Sequence, residues 1–276
     1  VSRILITGAN GFLGRNLCKD FSDAGFEVFA WLRSNDIKDI GTFRPEYVVH
    51  CAGEVHNEQK MIESNIILTE NVLKQVSGYH YRPSLKRFIY LGSSSEYGRM
   101  TVPSSETDIP NPTSMYEATK TSGAMIAQAY GKKCNFKVSI VRPYSIFGEF
   151  ESPDRFIPTI YRSAKNGEVV KIYDGAHDFL YVKDFVEAVR AIITANEPSD
   201  IVNIGSGICT SNGLLVQTFE AAFGKSISKQ LVQSRIRDYD SDYWCANISY
   251  LKRTYGWSPR FSLEQGLKDY IRICGT

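Results

Sequence analysis

Arg3-Ile4-Leu5-Ile6-Thr7-Gly8-Ala9-Asn10-Gly11-Phe12-Leu13-Gly14 runs from a short apolar strand, through a glycine-spaced turn, into a helix-patterned segment. Each glycine has a physical purpose. Gly8 permits a tight turn, Gly11 lets the backbone approach a ligand, and Gly14 allows helix to pack closely on strand. The N–H groups and dipole at the start of the helix then favour an anion. Strand, loop and helix in this order predict a dinucleotide pyrophosphate site formed by Gly8, Asn10, Gly11, Phe12, Leu13 and Gly14.

Working outward, further Val/Ile-rich runs fall at 27–32, 46–51, 87–92 and 136–142, alternating with helix-like segments near 12–24, 57–77 and 114–132. Continuous rather than alternating apolarity means strands covered on both faces, so the predicted fold class is α/β, a doubly wound parallel (Rossmann) sheet. The connection between the second and third strands leaves little room for a full helix. After Pro143 the rhythm changes to short elements with many aromatics, among them Phe147, Phe150, Phe156, Tyr161 and Tyr173. The expected division is a dinucleotide-binding domain over 1–147, rejoined by 178–204 through a helix near 183–195. A smaller C-terminal substrate lobe is expected from 148–177 and 205–276.

The 276 residues carry a formal net charge of +2, and no basic run is longer than a pair such as Lys132-Lys133. That argues against nucleic acid and membrane surfaces as partners. No run approaches the ~18 apolar residues of a membrane span, and the opening strand does not read as a secretory leader. Six cysteines without a CxxC pair and four histidines without ligand spacing predict reduced thiols, no metal and a cytoplasmic location.

Tyr116 and Lys120 lie four apart in a helical segment and project from one face. A phenol near pKa 10 is a poor acid or base at neutral pH, and a nearby ammonium favours its phenolate. The pair is therefore expected to exchange a proton with an alcohol or a forming alkoxide. Upstream, Gly92-Ser93-Ser94-Ser95-Glu96-Tyr97-Gly98 follows a strand and offers hydroxyls to the same substrate oxygen.

The GxxGxxG spacing, Tyr116-Glu-Ala-Thr-Lys120, Val141-Arg-Pro-Tyr144, Asp178-Phe-Leu-Tyr-Val-Lys-Asp184, Asn203-Ile-Gly-Ser206 and Gly256-Trp-Ser-Pro259 together resemble the extended short-chain dehydrogenase/reductases. This branch contains the sugar-nucleotide epimerases, dehydratases and reductases. The resemblance implies Ser93 as the catalytic hydroxyl, with Ser94 competing, and a second role for Lys120 on the nicotinamide ribose. It places Cys51-Ala52-Gly53 as a small-residue turn against the cofactor and Asp36-Ile37 beside the adenine. Asn65 matches a residue that orients backbone near the active site. Arg155 and His177 are candidates for the substrate phosphates, while Asn247 is given no chemistry.

NAD-selective relatives carry a carboxylate after the second strand. Trp31-Leu32-Arg33-Ser34 has none, and Arg33 suits the 2′-phosphate of NADP, so NADPH is the expected cofactor with NAD possible. Ser94-Ser95 stand where dehydratases have an Asp-Glu pair, which disfavours water elimination. The 92–98 stretch looks most like that of deoxysugar 4-ketoreductases. The expected reaction is therefore reduction of a nucleotide-linked 4-keto-6-deoxyhexose in surface-polysaccharide synthesis. A nucleotide-sugar 4-epimerase is the alternative, and a non-enzymatic NADP sensor is the reading from another class. The resemblance also implies a homodimer paired through helices 57–77 and 114–132.

Overall fold

The computed structural model describes residues 1–78, 85–232 and 243–275. The first part of the chain runs β1 (Arg3–Thr7), α1 (Phe12–Asp23), β2 (Glu27–Trp31), α2 (Lys38–Phe43), β3 (Tyr47–His50), α3 (Glu58–Met61), a π-helical turn (Ile62–Ile67), α4 (Leu68–Ser77), β4 (Arg87–Leu91), a 3₁₀ turn (Ser94–Tyr97), α5 (Met115–Cys134) and β5 (Lys137–Pro143). There follow β6 (Ser145–Phe147), α6 (Phe156–Asn166), β7 (Val170–Tyr173), β8 (Ala176–Tyr181), α7 (Val182–Thr194), β9 (Asp200–Ile204), β10 (Cys209–Ser211), α8 (Asn212–Phe223), β11 (Lys229–Val232), β12 (Tyr243–Trp244), α9 (Ser249–Tyr255) and α10 (Leu263–Gly275).

Six strands form one sheet in the order β2-β1-β3-β4-β5-β9, and every neighbouring pair is parallel. Side chains along β1 alternate between two apolar layers. Ile4 and Ile6 meet Leu17 and Phe21 of α1 and Val189 and Ile192 of α7, whereas Leu5 joins Val48, Phe88, Leu73 and Ala124 on the opposite face. Burial on both faces explains why these strands read as unbroken apolar runs. The chain winds outward from β1 to β2 and then crosses back to β3, so a crevice opens beyond Thr7 and His50, which are register partners.

Two local features differ from the sequence expectation. The β2–β3 connection does contain a helix, the six-residue α2. Asp36 Oδ1 starts it by accepting from Lys38 N at 2.9 Å, and Arg44 stops it in the left-handed region at φ 52°. The helix expected over 57–77 is broken by the π turn, which contains Asn65.

In the smaller lobe β8 is the organising strand. It pairs with β6, β10 and β12, so the return to the main sheet runs through α7 and β9 rather than from residue 178. Asp178, fully buried, accepts hydrogen bonds from Ser206 N and Oγ, Gly207 N and Ala246 N. Asp184 likewise accepts from Arg260 N and Phe261 N. The Asp178-to-Asp184 block therefore ties the C-terminal segments onto the sheet. Among the described residues, no helix is long and apolar enough to cross a membrane.

Candidate active site

The crevice is a cleft of about 470 Å³. Gly8, Gly11, Phe12, Leu13 and Gly14 line one end, Cys51, Gly53 and Glu54 the wall, Ser93, Ser94, Tyr116 and Lys120 the middle, and Glu151, Arg155, His177 and Trp244 the far side.

The glycine loop fits a pyrophosphate. Gly8 turns at φ 65°, and a Cβ on Gly14 would lie 2.2 Å from Gly8 O, so loop and helix meet only because that side chain is missing. Helix α1 has no side-chain cap and no acidic residue in its first turn, which leaves its leading N–H groups and dipole available to an anion. Asn10 is exposed at the loop tip and does not line the cleft. Ala52 lies beneath the loop, where its N–H donates to Thr7 Oγ1 at 3.2 Å, and a Cβ on Gly8 would come within 2.8 Å of Ala52 N.

Asn65 joins the post-β3 turn to α5, which carries Tyr116 and Lys120. Its Oδ1 accepts from Glu54 N at 2.7 Å, and its Nδ2 donates to Glu54 O and Thr119 Oγ1, both at 3.0 Å. The π turn shifts the helix register by a residue where this side chain enters, a common device near functional sites.

A capping box sets the start of α5. Ser114 Oγ accepts from Glu117 N, and the Glu117 carboxylate accepts from Ser114 N. Two residues on, Tyr116 lines the same cleft as Ser93, whose hydroxyl draws the phenol's pKa down. Ser93 Oγ also lies 2.7 Å from Ser95 Oγ and accepts from Ser95 N at 3.2 Å. Ser94 points elsewhere, and its hydroxyl accepts from the Trp244 indole N–H at 2.7 Å.

The electrostatics differ from the simple Tyr–Lys expectation. The Lys120 ammonium donates to the Leu91 carbonyl and sits 4.6 Å from the centre of the Tyr90 ring. Burial lowers its pKa to about 8, against the opposing charge of Glu96. Burial also raises the Tyr116 phenol above its ordinary value, while the Ser93 hydroxyl and the Arg155 charge pull the other way. Arg155 thus acts on Tyr116 from the same cleft. It is the residue before α6, and its Nε lies 3.4 Å from Glu151 Oε1. Glu151, almost buried, has its pKa raised to about 7 by desolvation, and its Oε2 has no partner. His177 is held neutral by burial, and the charge of Arg155 adds to that effect.

With the cleft described, the family can be stated. The profile of the NAD dependent epimerase/dehydratase family matches residues 4–205. The chain belongs to that family. Protein CapI of Staphylococcus aureus is 26% identical over 98% of this chain and 97% of its own length. UDP-glucuronate 4-epimerase 4 of Arabidopsis thaliana is 24% identical over 98% of this chain and 74% of its own length. MoeE5, solved with UDP-glucuronic acid and NAD, shares the fold at a TM-score of 0.90, with 24% identity and 99% of both chains covered.

Three residues expected near the cofactor from the family resemblance lie outside the cleft lining. Arg33 is exposed beyond β2 and donates to Ser64 Oγ at 2.5 Å. Asp36 caps α2, and Ile37 packs on the sheet core. Asn247 is a local cap, its Oδ1 accepting from Ser249 N at 3.0 Å. Trp244 and Glu151 were not legible in the sequence. Trp244 reaches the cleft by pairing next to His177 on β8, and Glu151 differs from any surface glutamate only by its burial.

Proposed function

We propose that this chain is a nucleotide-sugar 4-epimerase, with a nicotinamide dinucleotide along the glycine-loop end of the cleft and the hexose against Tyr116 and Ser93. The observation that carries the reading is that Tyr116, Ser93 and Lys120 line the same cleft as Gly11 and Gly14. Ser94 and Ser95 offer no titrating carboxyl for dehydration, and a UDP-glucuronate 4-epimerase resembles nearly the whole chain. Reduction of a 4-keto-6-deoxyhexose, expected from Arg33 and the 92–98 segment, yields to this reading. The UDP-glucuronate 4-epimerase likeness spans nearly the whole chain.

A bound nicotinamide ring supplies the acceptor and donor of hydride. Tyr116 takes the proton of the 4-hydroxyl as the sugar is oxidised and returns one after the keto sugar has turned over. Ser93 holds the oxygen whose charge changes, and the Lys120 ammonium favours the phenolate. Gly8, Asn10, Gly11, Phe12, Leu13 and Gly14 form the pyrophosphate loop, with Cys51, Ala52 and Gly53 as the turn beside it. Arg33, with no carboxylate opposing it, admits the 2′-phosphate of NADP. Arg155 and His177 face the substrate diphosphate, and Ser94 and Trp244 flank the hexose. The active form is a homodimer paired through α3–α4 and α5.

The test is incubation with a panel of nucleoside-diphosphate hexoses, read by NMR for inversion at carbon 4 and by absorbance for net cofactor change. Inversion without net cofactor change is expected. Stoichiometric NADPH consumption with a nucleotide-linked 4-keto-6-deoxyhexose, and no inversion of hydroxy sugars, would hand the site to the reductase.

A further inference from the structure

The proposed chemistry leaves one buried carboxyl group of the cleft without a role. Glu151 lines the cleft together with Arg155 and His177, yet only 4% of its side chain is exposed. Arg155 Nε donates to Glu151 Oε1 at 3.4 Å, while Oε2 is sealed from water and has no hydrogen-bond partner. Arg155 is itself 53% exposed, so the contact is long, half in solvent and a weak compensation for burying the carboxyl group. An acceptor left unpaired in the interior destabilises the fold unless something arrives to satisfy it.

The backbone is bent to bring Glu151 there. Phe150, just before it, stands in the left-handed region at φ 70°, an unfavourable conformation for an aromatic residue. Glu151 N then donates to Gly148 O at 3.2 Å. Helix α1 holds this turn in place. Asn16 Nδ2 donates to Glu149 O at 2.9 Å, and the Arg15 guanidinium lies 5.2 Å from the centre of the Phe150 ring. Ser152 and Asp154, directly after, are exposed, so a carboxylate on this loop has water within reach. Glu151 is desolvated instead, at the wall of a cleft.

We propose that Glu151 is a specificity-determining residue whose free oxygen accepts a hydroxyl of an uncharged hexose and turns a hexuronate away. The inference rests on the reading of the cleft as a sugar-nucleotide site. With Nε of Arg155 engaged by Glu151, the terminal nitrogens of that guanidinium remain for the diphosphate, and Oε2 is left for the sugar joined to it. A sugar hydroxyl supplies the missing donor. A uronate carboxylate supplies none and sets a second negative charge against the first, where burial weakens the screening by water. Arg155 does not rescue the uronate, because its charge is already shared between Glu151 and the diphosphate. Repulsion of the wrong sugar thus adds to the bond made with the right one.

The test is calorimetric binding of UDP-glucose and of UDP-glucuronic acid at pH 8, above the value of about 7 to which burial raises Glu151. UDP-glucose should bind at least about tenfold more tightly. Glu151→Gln keeps the size and removes the charge, so it should close that gap by about tenfold, mostly through tighter uronate binding. Asp154→Asn neutralises a neighbour outside the cleft lining and should leave the gap as it is. If Glu151→Gln does not fold, the preference of the unmodified protein still decides. Equal affinities in the unmodified protein overturn the proposal. So does a gap that persists in folded Glu151→Gln, or one that closes as far in Asp154→Asn. The expected affinities with no inversion of either sugar would instead sink the epimerase reading and leave this one standing.

Discussion

Trp244 and Ser94, 150 residues apart in sequence, meet across the cleft through a 2.7 Å hydrogen bond from the indole N–H to the serine hydroxyl. That bond engages one hydroxyl of the serine turn with the smaller lobe. Ser93 is the serine whose hydroxyl acts on the Tyr116 phenol. Ser93→Ala should therefore lower kcat by ~10²–10³, the usual effect of removing one donor to a changing oxygen charge. Ser94→Ala should cost less than about threefold in kcat and act on KM instead. Steady-state kinetics of the two variants check this, and the reverse order would move the assignment to Ser94.

Tyr116→Phe removes the proton carrier while keeping the ring. Turnover should drop by ~10²–10⁴ with cofactor affinity changed little. Single-turnover kinetics and a cofactor binding isotherm separate the two effects. A variant with more than about a tenth of normal activity would require another proton donor.

Arg33 is exposed, hydrogen-bonded to Ser64, and placed just beyond β2. With no carboxylate beside it to repel a 2′-phosphate, NADPH should bind more tightly than NADH, and Arg33→Asp should reverse the order. Calorimetry with both cofactors tests it. Equal affinities in the unmodified protein refute the role given to Arg33.

His50 sits in the core between Thr7 Oγ1 at 2.8 Å and Thr69 Oγ1 at 3.0 Å, and burial lowers its pKa to about 3. The unfolded chain, with a histidine near pKa 6.5, binds a proton that the folded chain refuses. The stabilising effect is therefore present in full above about pH 6.5 and lost as pH falls toward 3. The slope is up to ~1.4 kcal/mol per pH unit from this group alone. Urea denaturation at pH 7.5 and 5.5 should show a smaller acid loss in His50→Gln. Identical losses in both proteins would remove His50 from the account.

The helices assigned to the dimer contact expose Ile62, Ile67, Met115 and Met125, the last 62% accessible. An apolar surface of this kind favours a second copy of the chain over water. Sedimentation at micromolar concentration should give a dimer, and Met125→Glu should shift it toward monomer. A monomeric unmodified protein ends this proposal.

The sequence by itself determined the parallel sheet, the glycine loop and the Tyr116/Lys120 pair. All three leave a local pattern in the chain, although the sheet itself pairs strands far apart in sequence, such as Ile4 with Tyr47. Uninterrupted apolar runs report burial on both faces, glycine spacing reports a turn and a close helix, and a four-residue step reports a shared helix face. Only the tertiary structure distinguished the three adjacent serines, which are alike until a distant Trp244 engages Ser94. It also placed Glu96 against Arg142 and buried Glu151 in the cleft. In each case the deciding quantity is the desolvation or hydrogen-bond partner supplied by an element far along the chain. A charged residue's own neighbours in sequence carry no trace of it.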